Sequence, residues 1–192
     1  MTRKLRPIVL AAFVAAVAIL IGLHSAPAGL GAWTLAARYS ARAAFPFLMI
    51  AYSASSLVRL YPNKVTRYLM RNRKWWGLGF ATAHTVHLFA VFNVLSLATS
   101  PPPPLVLLGG GFVYLVLYAM VLTSWKWAYK AMGKWWKWLH NFGIHLLWLV
   151  FAFAYGAKAV TMPDQLIPGI VLLTVALGGL YLRYAAHRYA EA

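Results

Sequence analysis

The chain has no cysteine, and only two of its 192 residues, Asp164 and Glu191, are acidic. The first absence removes disulfides, iron–sulfur clusters, zinc–thiolate sites and thiol nucleophiles together, and it leaves the redox compartment unread. Charge of either sign is scarce. Charged residues make up 10% of the chain and hydrophobic ones 62%, against roughly one-quarter charged in a soluble domain, which excludes a soluble globular fold. Eighteen of the charged residues are Lys or Arg, for a net charge of +16. Such a balance serves nucleic acids where cations cluster on one surface. Here long apolar runs separate the basic groups, so membrane electrostatics is the better explanation and no nucleic-acid partner is expected.

Six stretches are apolar over the roughly 20 residues that a helix needs to cross about 30 Å of hydrocarbon. They fall at about 7–24, 43–61, 75–98, 105–124, 138–158 and 166–187. In lipid every backbone polar group must be satisfied internally, so these are helices. The expectation is an all-α integral membrane bundle of six transmembrane helices, one domain over residues 1–192, with membrane lipid as its surroundings. Pro101 to Pro104 read as a stiff extended turn of the polyproline type. No internal repeat stands out.

Short cytoplasmic loops carry the excess of Lys and Arg. Arg3, Lys4 and Arg6 precede the first span, and Arg59, Lys64, Arg67, Arg71, Arg73 and Lys74 join the second to the third. Lys126, Lys130, Lys134 and Lys137 join the fourth to the fifth, and Arg183 and Arg188 lie near the end, leaving Arg38, Arg42 and Lys158 for the other side. Both termini are therefore expected in the cytoplasm, and the location expected is a bacterial inner membrane. Trp75, Trp76, Trp125, Trp127, Trp135, Trp136 and Trp138 gather at the same boundary and read as an anchoring aromatic belt. The first span, with basic residues before it and Ala26-Pro27-Ala28 after it, imitates a secretory signal peptide. Its apolar run exceeds the 7–15 residues or so of such signals, so it is read as a retained helix.

No Asp, Glu or Cys lies inside the spans, which argues against an ion-driven transporter. Histidines do lie there: His84 and His87 in the third span, His140 and His145 in the fifth. His24 and His187 sit at span ends and read as interfacial. Polar groups at membrane depth are costly and point to function, and imidazole is a common ligand of heme iron. Hydrogen bonding to a Ser, Thr or carbonyl of a neighbouring helix is the equal alternative on spacing alone. His84 and His87, three apart, share one helix face. His140 and His145, five apart, lie roughly 140° apart around their helix, so only one of them can serve a given iron. The spacing permits one bis-histidine heme between the third and fifth spans.

Motifs narrow this further. Arg73-Lys74-Trp75-Trp76-Gly77-Leu78, followed by His87, and Thr123-Ser124 followed by Gly133-Lys134-Trp135-Trp136-Lys137-Trp138-Leu139-His140-Asn141-Phe142, resemble the ferric reductase-like transmembrane family. Within it they are most like the heme-binding membrane subunits of bacterial periplasmic methionine sulfoxide reductase systems. The likeness runs from about residue 35 through Arg42 to Leu180-Tyr181-Leu182-Arg183-Tyr184. It implies heme b, one per chain, with His87 and His140 as metal ligands. The family usually has a further histidine thirteen residues after the one at His140, where this chain has Phe153. His145, whose depth is nearer that of His84 and His87, is the candidate substitute, so the pairing stays open; motif position favours His140. Arg73 and Lys137 on one side and Arg42 on the other are cation candidates for the heme propionates.

Taken together, the sequence reads as an electron-transfer membrane subunit of an oxidoreductase, of the b-type cytochrome class. No GxGxxG motif is present, so quinol or a separate cytosolic flavoprotein is the expected donor. The resemblance implies a periplasmic reductase as acceptor and raises FMN as a second cofactor, with no residue identifying either. The alternative is a non-redox membrane protein whose histidines form a structural or pH-sensing core.

Overall fold

A computed structural model describes the backbone of residues 5–191. Arg3 and Lys4, two of the basic residues assigned to one side, lie outside the described residues. The described chain is helical: α1 (Arg6–His24), α2 (Leu30–Leu60), α3 (Lys64–Arg71), α4 (Arg73–Leu97), α5 (Pro104–Leu122), α6 (Lys126–Met132), α7 (Lys134–Thr161) and α8 (Leu166–Glu191), with a 3-10 turn at Pro163–Gln165 before α8. Six of these elements are long and apolar enough to cross a membrane, and no strand occurs among the described residues. Their outward side chains are large and apolar, Leu105, Leu108, Phe153, Val160 and Ile167 among them, which suits lipid and not water.

Hydropathy misplaces two helix starts. α2 begins at Leu30 and not near residue 43, because residues 30–42 are rich in Ala and Leu, good helix formers whose mean hydropathy Arg38 and Arg42 lower. Both arginines are thus helical. α7 likewise starts at Lys134, taking in the Trp-rich segment before the expected start near 138. Two basic connections expected as plain loops contain the short helices α3 and α6. α3 starts with a capping box: Asn63 Oδ1 accepts from the backbone N–H of Val65 (2.9 Å) and Thr66 (3.0 Å), while Thr66 Oγ1 accepts from the backbone N–H of Asn63 (3.0 Å). α6 ends at Gly133, whose φ of +54° is left-handed and turns the chain into α7.

The contacts gather into two compact units. The first holds the residues up to Leu48 and Lys74–Val121; the second holds Met49–Arg73 and the described residues from Leu122 on. In the first unit α1 presents a stripe of small residues, Ala11, Ala15 and Gly22 with Ile19. A Cβ on Gly22 would overlap the backbone of Ala36 in α2, and one on Gly79 in α4 would lie 2.8 Å from the Pro7 carbonyl oxygen in α1. Backbone approach through small residues is how helices associate in lipid, where the hydrophobic effect between them is absent. Ile19, Ala36 and Ala90, with Leu23, Trp33, Ala37 and Val86 packed around them, close this core.

In the second unit α7 and α8 are joined by the short turn through Pro163–Gln165 and pack side by side. Gly169 approaches the Tyr155 carbonyl, and Trp148 Nε1 donates to the Ala176 carbonyl at 2.8 Å. Gly109 to Gly111 of the first unit, three small residues in a row in α5, behave differently. A Cβ added at any of the three would meet nothing within 4 Å, so among the described residues they pack against no helix.

Gly79→Ala should therefore destabilise the protein by about 1–3 kcal/mol through overpacking. Gly110→Ala should be neutral or gain up to about 1 kcal/mol in helix propensity. Thermal unfolding of the two variants in one detergent checks this, and equal midpoints would contradict the α1–α4 packing.

Candidate functional site

His84 and His87 lie in the first unit, on one face of α4, with ring centroids 4.9 Å apart. They differ in surroundings. His84 is 8% exposed, and its ring stacks with Phe80 at 5.1 Å and with Tyr114 of α5 at 5.0 Å. Tyr114 also donates its hydroxyl to the His84 carbonyl at 3.1 Å, so this ring is packed as part of the α4–α5 contact. His87 is half-buried and its Nδ1 lies 3.1 Å from Ser40 Oγ in α2.

The direction of that last bond follows from the hydroxyl. Ser40 has one proton, which it gives to the Ala36 carbonyl at 2.7 Å, shared with that of Ala37 at 3.1 Å. Its oxygen is then the acceptor and His87 Nδ1–H the donor. In a neutral imidazole this puts the lone pair on Nε2. Ser40 is buried and 47 residues distant in sequence, and nothing in its local pattern marks it.

His140 and His145 lie in the second unit on α7 and bond different backbone carbonyls. His140 Nδ1 donates to the Trp136 carbonyl at 3.1 Å, and its ring stacks on the Trp136 indole with centroids 4.0 Å apart. That indole is itself fixed: its Nε1 donates to the Thr123 carbonyl at 2.7 Å, and Tyr129 of α6 meets its face edge-on at 5.1 Å. The motif residues Thr123 and Trp136, so far apart in sequence, therefore act together to orient His140. His145 Nδ1 donates to the Asn141 carbonyl at 2.7 Å, and its ring meets Tyr52 of α2 edge-on at 5.6 Å. It also edges an open apolar groove of about 590 Å³ along α7, lined by Trp138, Phe142, Leu146 and Leu149.

Carbonyl oxygens only accept, so both α7 histidines carry their proton on Nδ1 and their lone pair on Nε2. An Nδ1–H held by a backbone or hydroxyl oxygen, with Nε2 facing away, is the usual outer-shell support of a metal-bound imidazole. The donor chemistry of His87, His140 and His145 thus fits axial ligation. The same i to i−4 bond occurs at exposed His24, whose Nδ1 is 2.8 Å from the Leu20 carbonyl, so it is necessary and not diagnostic. Among the described residues no group of three or more metal-binding side chains gathers. Phe153 is 74% exposed, so a histidine there in this chain would face lipid.

The three cations named from sequence lie on three different helices. Lys137 is exposed on α7, and Arg42 lies 6.0 Å from the Tyr39 ring in α2. Arg73, at the start of α4, donates Nε to the Ala51 carbonyl at 2.7 Å. The space over Gly79 in α4 is filled by α1.

These features define a multi-pass helical membrane protein whose spans hold histidines with Nδ1 bonded to a backbone or hydroxyl oxygen. Over 169 residues, 78% of this chain and 75% of the relative, it is 28% identical to the protein-methionine-sulfoxide reductase heme-binding subunit MsrQ of Enterobacter sp. strain 638. The MsrQ of Salmonella dublin is likewise 28% identical, over 165 residues. A shorter stretch of 77 residues is 36% identical to the MsrQ of Pasteurella multocida, spanning 38% of this chain and 37% of that protein. The likeness read from the motifs is thus borne out by relatives of that name. No family model matches the chain, and no solved structure matches it.

Ser40→Ala removes the acceptor of a half-buried imidazole N–H and should cost about 1–3 kcal/mol. Thermal unfolding reads the loss, and ¹⁵N NMR of the imidazoles should show His87 leaving the Nδ1-protonated form. An unchanged tautomer would place the His87 proton elsewhere.

Proposed function

We propose that this membrane protein binds heme b and carries electrons, and that His87 of α4 and His140 of α7 are the residues that would hold the iron. Heme held by two imidazoles supplies one-electron transfer with no coordination position left open for oxygen. The observation that carries the reading is the shared orientation of the imidazoles, proton on Nδ1 and lone pair on Nε2, in a chain whose relatives are named heme-binding subunits.

The chain's own residues do the positioning. Ser40 holds His87 in one tautomer and, by accepting its proton, raises the basicity of Nε2. The Trp136 carbonyl does the same for His140, while the indole pinned to Thr123 restrains ring rotation. His84, stacked among Phe80, His87 and Tyr114, keeps a structural role beside the ligand. Lys137 and Arg42 are the proposed charge partners for propionates. The apolar walls of the spans exclude water and so tune the potential.

The motif distinguishes His140 from His145, because Thr123 and Trp136 both act on the former. His87→Ala and His140→Ala should each yield heme-depleted or high-spin protein, whereas His145→Ala should keep the low-spin spectrum with at most a shifted potential. The reverse pattern on α7 would make His145 the ligand, about 7.5 Å further along the helix. Full low-spin heme in His87→Ala would refute the assignment.

Electrons are proposed to enter from quinol or a cytosolic flavoprotein and to leave to a periplasmic reductase, as the relatives' name connects them to methionine sulfoxide reduction. FMN, raised by family likeness, is a proposal of the same standing with no residue assigned. The site of action is the bacterial inner membrane, with both termini in the cytoplasm. A cytoplasmic reporter inserted at the uncharged segment Pro101 to Pro104 should then be silent, and activity there would invert the topology.

A further inference from the structure

Two arginines of the second unit converge on neighbouring atoms. Arg73 Nε donates to the Ala51 carbonyl at 2.7 Å, and Arg183 Nη1 of α8 donates to the next carbonyl, that of Tyr52, at 3.1 Å. The Arg183 guanidinium also lies over the Tyr52 ring, 4.7 Å from its centroid. Tyr52 is fully buried and stacked on Trp148 at 6.0 Å, so it is a fixed platform. The Ala51 and Tyr52 carbonyls follow one another along α2, about 1.5 Å apart along its axis, so both guanidiniums are anchored to adjacent acceptors of one helix.

Nothing acidic balances them among the described residues. Asp164 is bonded to Gln165 in the turn before α8, nineteen residues and so about 28 Å of helix from Arg183. The Glu191 side chain lies outside the described residues, and no carboxylate lies against either guanidinium among those described. Both arginines are half-buried. Like charges in a medium of low dielectric repel strongly unless an anion joins them. Each guanidinium has five N–H donors and spends one on its carbonyl, leaving a fork that matches the oxygens of a phosphate.

The position selects the source. Arg73 opens a span, next in the chain to the basic segment of α3, and Arg183, in the last third of α8, bonds the carbonyl that follows the one Arg73 holds. Phosphates of lipid headgroups sit at that depth of a bilayer.

We infer that Arg73 and Arg183 together seat a phosphate group, supplied by an anionic lipid of the leaflet that faces the basic segments. The seat uses neither proposed iron ligand, and Arg73, named from sequence as a propionate candidate, is assigned to it by its contact with α2. It explains why two cations persist half-buried in a chain nearly without acids. It also ties α2, α4 and α8 to the lipid on one side of the membrane.

The test uses purified full-length protein, delipidated in an uncharged detergent and titrated with short-chain phosphatidylglycerol in one arm and inorganic phosphate in the other. Native mass spectrometry and the thermal midpoint report binding. Wild type should bind the lipid saturably, and R73Q/R183Q should lose at least tenfold in affinity, while K64Q/K130Q, an equal loss of charge elsewhere, should bind as wild type. Should R73Q/R183Q fail to fold, R73K/R183K, which keeps the charge and loses the fork, should still be weakened several-fold. Binding of inorganic phosphate alone, abolished by the same variants, would support the seat and move its source to a soluble phosphate. Unchanged lipid affinity in either double variant overturns the proposal. So does loss of heme absorbance with lipid binding intact, which would make the pair a propionate clamp.

Discussion

Nearly every polar side chain in the spans has to be satisfied by a neutral oxygen, because lipid offers no water and this sequence offers almost no carboxylates. The structure's internal bonds follow from that constraint. Several imidazole, indole and guanidinium donors turn to backbone carbonyls or to a serine hydroxyl: His87 to Ser40, His140 to Trp136, Trp136 to Thr123, Trp148 to Ala176, Arg73 to Ala51 and Arg183 to Tyr52. A carboxylate beside a histidine would favour the imidazolium. Carbonyl and hydroxyl acceptors instead hold the proton on Nδ1, so that in a neutral ring the lone pair is fixed on Nε2, the form a metal needs.

Packing follows a second rule of the same solvent. Helices that gain nothing hydrophobically from meeting must meet closely, and the small residues of α1 and Gly79 let α1 and α4 do so within the first unit. That contact steadies the helix carrying His84 and His87. In the second unit Gly169 and Gly179 bring α8 against α7 and α2, and Tyr52 stands at their meeting with Trp148, His145 and Arg183 around it.

The class of fold is legible in the sequence because long apolar runs and the scarcity of acids leave a membrane helix as the one solution. Helix limits are less so. Hydropathy reports transfer to lipid and not helix formation, so it misses the Ala-rich start of α2 and the amphipathic α3 and α6. The histidine positions are readable, and three-residue spacing does place His84 and His87 on one face. Their unequal roles are not, since Tyr114 and Ser40, which distinguish the two rings, come from other helices and carry no local signal. The Thr123 to His140 motif is visible as a pattern, and only its folded form shows the chain of contacts that makes it one. Arg183 reads from sequence only as one more charge near the chain's end, for the same reason: its neighbour Arg73 is 110 residues away.

The most direct test of the central claim is the reduced-minus-oxidised visible spectrum of the wild-type protein, purified in detergent from cells supplied with heme precursor. The sharp α and β bands of a six-coordinate bis-imidazole heme, at a stoichiometry of one per chain, are the expected result. A colourless protein under those conditions, or a five-coordinate spectrum, would contradict it.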